Sequence, residues 1–247
     1  MNRTKAKIIG TAVFAAAVLF VLGFTSCQLL NIVTGNGNIQ TKSYDLKSFT
    51  AISCSGDWTV HIEQGAAFSV KITSDENLFP FFDVFTGGGT LFVKGRSIYH
   101  LESTVQEVFI TLPSLTRLKA SGSLKCFISD FNQPADELLL SVSGSGAIAA
   151  GPLTAQKINL KISGSGIVAA HGRAQNMEAS ISGSGKIKAR ELKTDDADIS
   201  ISGSGMAEVW ATTALTATIS GSGTIRYKGS PTITENISGS GSIRPLH

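Results

Sequence analysis

The chain has 247 residues, 42% of them hydrophobic and 16% charged. Lys and Arg number 21 against 18 Asp and Glu, but Arg3, Lys5 and Lys7 make up the whole excess, so the chain beyond them is balanced at 18 against 18. A balanced surface removes the electrostatic reason to expect nucleic acid or an acidic membrane face as a partner, and about 220 residues suffice for one large β domain with its own core.

The first element in chain order is a secretion signal. Arg3, Lys5 and Lys7 form a positive head, and Ile8 to Phe24 is an uncharged apolar run of 17 residues, a little short of the ~20 that a membrane-spanning helix needs. The run ends in Thr25-Ser26-Cys27, which resembles the lipobox of bacterial lipoproteins. That resemblance implies removal of residues 1–26 and attachment to a membrane through a lipid on Cys27, with residues 27–40 as a tether. Phe24 stands where the motif carries Leu, Val or Ile, so an uncleaved N-terminal anchor is the second reading of the same segment.

Residues 41–118 are rich in rings: Tyr44, Phe49, Trp58, Phe68, Phe79, Phe81, Phe82, Phe85, Phe92, Tyr99 and Phe109 all fall here, whereas only Trp210 and Tyr227 follow Ala147. Trp58, Val60 and Ile62 alternate with Thr59, His61 and Glu63, and Phe68, Val70 and Ile72 with Ser69, Lys71 and Thr73. Period two means strand. This region is expected to form wide, irregular rungs that cap a coil and protect its first edge.

Residues 119–247 carry the strongest pattern. Ser-Gly-Ser-Gly begins at Ser143, Ser163, Ser182, Ser202, Ser220 and Ser238, with a degenerate copy at Ser121 and a further one at Ser53, where Cys54 replaces the first Gly. Ile201, Gly203, Gly205, Ala207 and Val209 share one parity, while Ser200, Ser202, Ser204, Met206 and Glu208 share the other. Each unit reads as two or three short strands with turns, a third apolar position lying midway at Leu153, Met177, Leu192 and Leu215. A flexible Gly/Ser linker would hold neither the spacing nor the bracketing apolar residues. A unit this short cannot bury a core alone but can close one coil of a solenoid that stacks on its neighbours. The expected fold is therefore all-β, a right-handed single-stranded parallel β-helix with 18–22-residue coils marked by Ser-Gly-Ser-Gly. Its glycines would face inward at a bend, and its serines would form an outer ladder.

The order Phe49 to Ile52, Cys54 to Ile62, Asp75 to Leu78 and Leu112 to Leu115, followed by serial Ser-Gly-Ser-Gly units, resembles the head (GIN) domain family of bacterial autotransporter adhesins over residues 35–245. The resemblance implies the β-helix and an envelope location, often with a lipoprotein signal. It brings no catalytic motif.

Searches for chemistry are negative. Gly183 to Lys186 lacks the flanking residues of a phosphate loop, since Ser180 and Ile187 stand where Gly and Ser or Thr are required. Ala147, Ile167, Lys186, Met206, Thr224 and Ser242 follow the six tetrapeptides, where a calcium-binding roll would place Asp. His61, His100, His171 and His247 have no metal-ligand spacing, so no metal or cofactor is expected. Serine abundance lacks the Asp and His of a hydrolase. Asp195, Asp196 and Asp198 form a single turn cluster rather than the convergent carboxylates of a glycan-cleaving enzyme. Cys54 and Cys126 both fall on inward positions, either as buried thiols or as a bridge if their rungs are stacked neighbours.

One basic pattern is a candidate ligand face. Lys186, Lys188 and Arg190 share the outward parity of one strand, and Arg226 and Arg244 take the place of Lys188 in later coils. Such a stripe could meet anionic glycans or lipid headgroups, although Glu208 interrupts it and outward charges are normal on any soluble strand. The expected function is a non-catalytic, envelope-anchored surface module that is adhesin-like or ligand-binding, with a glycan or protein ligand and an outer-membrane lipoprotein location. The alternatives are a structural envelope component and a glycan-active enzyme. Nothing in the sequence sets an oligomeric state.

Overall fold

A computed structural model describes residues 31–129 and 131–246; the segment expected to be a secretion signal, Cys27 and His247 lie outside them. The chain opens with β1 (Asn31–Thr34), β2 (Ile39–Tyr44), β3 (Ala51–Gly56) and β4 (Thr59–Gln64). There follow β5 (Ser69–Asp75), a 3₁₀ turn (Glu76–Phe81), β6 (Phe82–Gly87), β7 (Thr90–Gly95), β8 (Tyr99–Glu102) and β9 (Gln106–Leu112). The repeats supply β10 (Arg117–Gly122), β11 (Lys125–Ser129), β12 (Phe131–Gly144), β13 (Ala147–Gly164), β14 (Ile167–Gly183), β15 (Lys186–Gly203) and β16 (Met206–Gly221). The last described coil is β17 (Thr224–Lys228), β18 (Thr232–Gly239) and β19 (Ser242–Pro245).

Together these make a parallel β-solenoid of about six turns. All the tetrapeptides stack in register, Ser143 on Ser163, then Ser182, Ser202, Ser220 and Ser238. The two glycines do different work. The first, as in Gly164, Gly183 and Gly203, is a partly exposed corner with φ near +117°, a region that costs other residues about 1–2 kcal/mol. A Cβ on Gly203 would also lie 2.6 Å from the carbonyl oxygen of Gly183. That oxygen accepts the N–H of Ser204 at 2.9 Å, and the contact recurs at the corners of Ser123, Ser145, Ser165, Ser184 and Ser222. Only the second glycine faces the core: a Cβ on Gly205 would meet Cγ2 of Ile181, in the coil below, at 2.6 Å.

Between corners β13, β14, β15 and β16 are each one long strand rather than two or three short ones. The turn-favouring residues at mid-coil produce register shifts, such as those between Ala150 and Leu153 and between Ala189 and Lys193, without ending the ladder. The midway apolar residues form two columns. Leu153 stacks through Gly172 to Leu192, whereas Ile158 stacks through Met177 and Ala197 to Leu215.

The register also moves the first copy of the motif. Ser121-Gly122 stacks on Ser55-Gly56, so the copy starts at Ser55 and not at Ser53. Trp58 and Leu124 then occupy the place of the inward glycine, both buried. Four residues before them the core column holds Cys54 and Ala120, where later coils hold Val142, Ile162 and Ile181. Large and small exchange places between coils: Leu124 stands over Cys54 in the place where Gly205 stands over Ile181.

The first coil, β3 and β4, therefore belongs to the solenoid, and the cap is a chain excursion between it and β10. β7 and β9 stack on the far side of β3 and β4 as parallel strands. β6 then pairs antiparallel with β7, β5 with β9, and β2 with β5. Antiparallel strands replace the wide rungs expected here because a hairpin such as β6-β7, turning at Gly88-Gly89, can close within two residues. Trp58 packs on Phe82 and Phe82 on Phe79, at ring centroid separations of 4.8 and 5.8 Å. Part of the expected 27–40 tether is folded: β1 pairs with β8 and the 35–38 loop is pinned to Asp75.

Asp75 is fully buried, and its carboxylate accepts the N–H groups of Gly37 and Thr104, both at 2.7 Å, and the Thr104 hydroxyl at 3.0 Å. Burial alone would raise its pKa, but these donors hold the carboxyl below its ordinary value. Asn77 exchanges hydrogen bonds with the same loop through Asn36 and Thr34, so the Asp75 to Leu78 segment is a structural clasp.

Two outcomes are expected. Gly203→Ala should lose at least about 2 kcal/mol of stability in denaturant unfolding, whereas Ser202→Ala, on the outer ladder, should stay within about 0.5 kcal/mol. Because the folded pKa of Asp75 is depressed, its contribution is present above the ordinary carboxyl pKa and is lost as pH falls through the folded value. Acid unfolding of Asp75→Asn, followed by circular dichroism, should thus start from a lower stability at pH 7 and be less steep at low pH than that of the wild type.

Candidate binding face

Outward residues on stacked coils form columns at about 4.8 Å per rung. One column lies five residues past each corner glycine: His61, Phe127, Ala149, Ala169, Lys188, Glu208, Arg226 and Arg244, with Phe109 below His61 on β9. Its start is aromatic. The His61 ring stacks on Phe109 at 4.9 Å and on Phe127 at 5.5 Å, with interplanar angles of 10° and 18°. Phe109 and Phe127 remain 40% and 44% exposed, a large apolar area to leave in water.

Above Phe127 the column narrows to Ala149 and Ala169 before reaching Lys188. The result is a groove of about 420 Å³ with Phe127 at one end, the two alanines along its floor and His171, Lys188, Arg190 and Glu191 around the other end. Three rungs separate Phe127 from Lys188, or about 14 Å. His171 lies over Gly151, where a Cβ would come within 2.5 Å of the imidazole Nδ1. Glu191 is the strand partner of His171 and lies 3.9 Å from Arg190.

The register brings part of the expected basic stripe together. Lys188, Arg226 and Arg244 do share one column, but Glu208 stands between the first two and pairs with Arg226 at 3.7 Å. Lys186 belongs to a neighbouring column with Met206, Thr224 and Ser242, and Arg190 sits at the mid-coil register shift. Lys188 and Arg190 thus serve the groove, while Arg226 and Arg244 continue beyond the neutralising Glu208. The sequence presents His171 only as a metal or catalytic candidate, and Phe127, Ala149 and Ala169 are not singled out there. The fixed offset of five residues from the corner glycine, extended toward the N-terminus, is the signal that finds Phe127, Ala149 and Ala169.

The remaining candidates are structural. Cys54 and Cys126 are buried free thiols on stacked coils but in different columns, Cys54 beside Ala120 and Cys126 beside Val60. Burial pushes the Cys54 thiol up to about 12, and burial with the neighbouring Cys54 raises that of Cys126, so neither is a thiolate at neutral pH. Asp196 and Asp198 are exposed, and Asp195 accepts the Thr212 hydroxyl at 3.3 Å. Among the described residues no cluster of His, Cys, Asp or Glu is arranged to hold a metal ion, and no helix is long and apolar enough to cross a membrane.

Fold and face together define a parallel β-solenoid with a groove on one outward column. The chain belongs to the family described as "Putative auto-transporter adhesin, head GIN domain", whose model matches residues 48–231. Among solved structures it is similar to a "putative lipid binding protein" of Parabacteroides distasonis, at 30% identity and a TM-score of 0.76, covering 88% of this chain and 100% of that one. It is also similar to a "putative adhesin" of Bacteroides fragilis, at 25% identity and a TM-score of 0.79, covering 87% and 100%. A "putative adhesin" of Parabacteroides merdae matches at 29% identity and a TM-score of 0.71, covering 88% and 100%. Among curated proteins, none matches this sequence.

Proposed function

We propose that the protein is a non-catalytic binding module of the cell envelope, tethered by a lipid on Cys27 and contacting its ligand through the outward groove between Phe127 and Lys188. The observation that carries this reading is the composition of one column: exposed stacked rings, then a recess, then cations, all on a backbone fixed by corner hydrogen bonds. A rigid face loses little conformational freedom on binding, which favours extended ligands. The names of the similar proteins, adhesin and lipid-binding protein, support a binding role over a catalytic one. Residues 1–26 as a lipoprotein signal would place the module on the outer membrane, with β1 starting only four residues after Cys27.

The test is intact mass combined with protease treatment of whole cells, comparing the native protein with Cys27→Ala. A diacyl or triacyl mass gained at Cys27 together with cleavage by external protease is expected. An unlipidated protein protected in intact cells would overturn the surface-module reading in favour of an inward-facing structural component.

A further inference from the structure

The geometry points to a ligand class for this groove: we infer that it takes an acidic pyranose, a sugar ring bearing a carboxylate, within a glycan. This inference rests on the binding-module reading and adds the chemistry of the occupant.

Phe127 has one ring face against His61. Its other side borders the recess, where Ala149 and Ala169 leave unfilled the positions in which the ring stack would continue. A pyranose presents a flat face of C–H groups, and an exposed aromatic ring with an alanine floor matches that face in polarity and shape. The same ring edges carry hydroxyl groups, and Glu191 can accept from them while His171 can donate or accept. At the far end Lys188 and Arg190 stand together. No ion pair of Lys188 occurs among the described residues, whereas Arg190 lies near Glu191. A ligand carboxylate would therefore find one cation free and a second adjacent, a charge-assisted contact stronger than neutral hydrogen bonds.

Length agrees with charge. The roughly 14 Å between Phe127 and Lys188 spans three rungs, room for two linked sugars with the acidic one toward Lys188. A plain hydrocarbon chain would leave the cations unpaired, and a simple anion would leave the aromatic platform unused. The acidic sugar uses both ends.

The experiment is calorimetric titration of the full-length protein in detergent micelles with oligogalacturonate and with hyaluronan oligosaccharides, using neutral oligogalactose as control. At least one acidic glycan should bind about tenfold or more tighter than the neutral one, the range expected of one charge-assisted contact. Ala149→Phe should abolish binding by filling the recess, an outward substitution whose retained fold is checked by its melting curve. Lys188→Gln should weaken binding about tenfold, and Arg244→Gln, beyond Glu208, should leave it unchanged. Absence of binding to both acidic glycans, equal binding of the neutral one, or wild-type binding by Ala149→Phe would overturn the inference. A different ligand whose binding ignores Ala149→Phe would remove this site while sparing the binding-module reading, whereas protection from external protease would remove that reading whatever the titrations give.

Discussion

The whole molecule depends on how closely one backbone corner rests on the next. At each turn of the solenoid a glycine in the left-handed region lays its α-carbon over the carbonyl of the glycine below, while the following serine N–H bonds that same oxygen. A side chain at the corner would collide with the atom that holds the coils together. Glycine is thus fixed there by two independent requirements, dihedral angle and contact distance, which is why the motif survives coils of different length.

That constraint explains what could be read from the sequence. Ser-Gly-Ser-Gly is local and periodic, so the fold class, the coil spacing and the parity of Ile201 or Val209 followed from the letters alone. The copy at Ser55 was hidden because Asp57 and Trp58 replace its second half, and the spelling at Ser53 looked closer to the motif. Stacking decided otherwise: Trp58 stands at the inward-glycine place, and Leu124, at the same place one coil on, lies over Cys54, which stands where Ile162 does three coils later. The order of stacking in the cap was equally hidden. Pairing of β7 with β3 and of β9 with β4 joins residues distant in sequence, and alternation identifies a strand without identifying its neighbour.

The outer face carries none of the corner's restrictions. Five residues past each glycine the column changes from rings to alanines to charges, and nothing in the backbone registers the change. This freedom lets a rigid scaffold hold a recognition surface, with core and corner keeping the frame while outward positions vary in chemistry. The basic residues were visible in the sequence as a stripe because parity marks them. Their division into a groove pair, Lys188 and Arg190, and a separate pair beyond Glu208 required the register and the 3.7 Å ion pair.

The exchange of volume between a corner and the coil below is the claim that ties core to motif, and a double-mutant cycle across the first two coils tests it most directly. Leu124→Gly and Cys54→Ile would be measured singly and together by equilibrium unfolding. Each single change should destabilise, the first by leaving a cavity and the second by overpacking, at roughly 3–5 and 1–3 kcal/mol. The double variant, which rebuilds the later coils' Ile and Gly arrangement, should recover on the order of 1–3 kcal/mol relative to the sum. Additivity within about 0.5 kcal/mol would contradict the claim, showing that the two positions do not share one space.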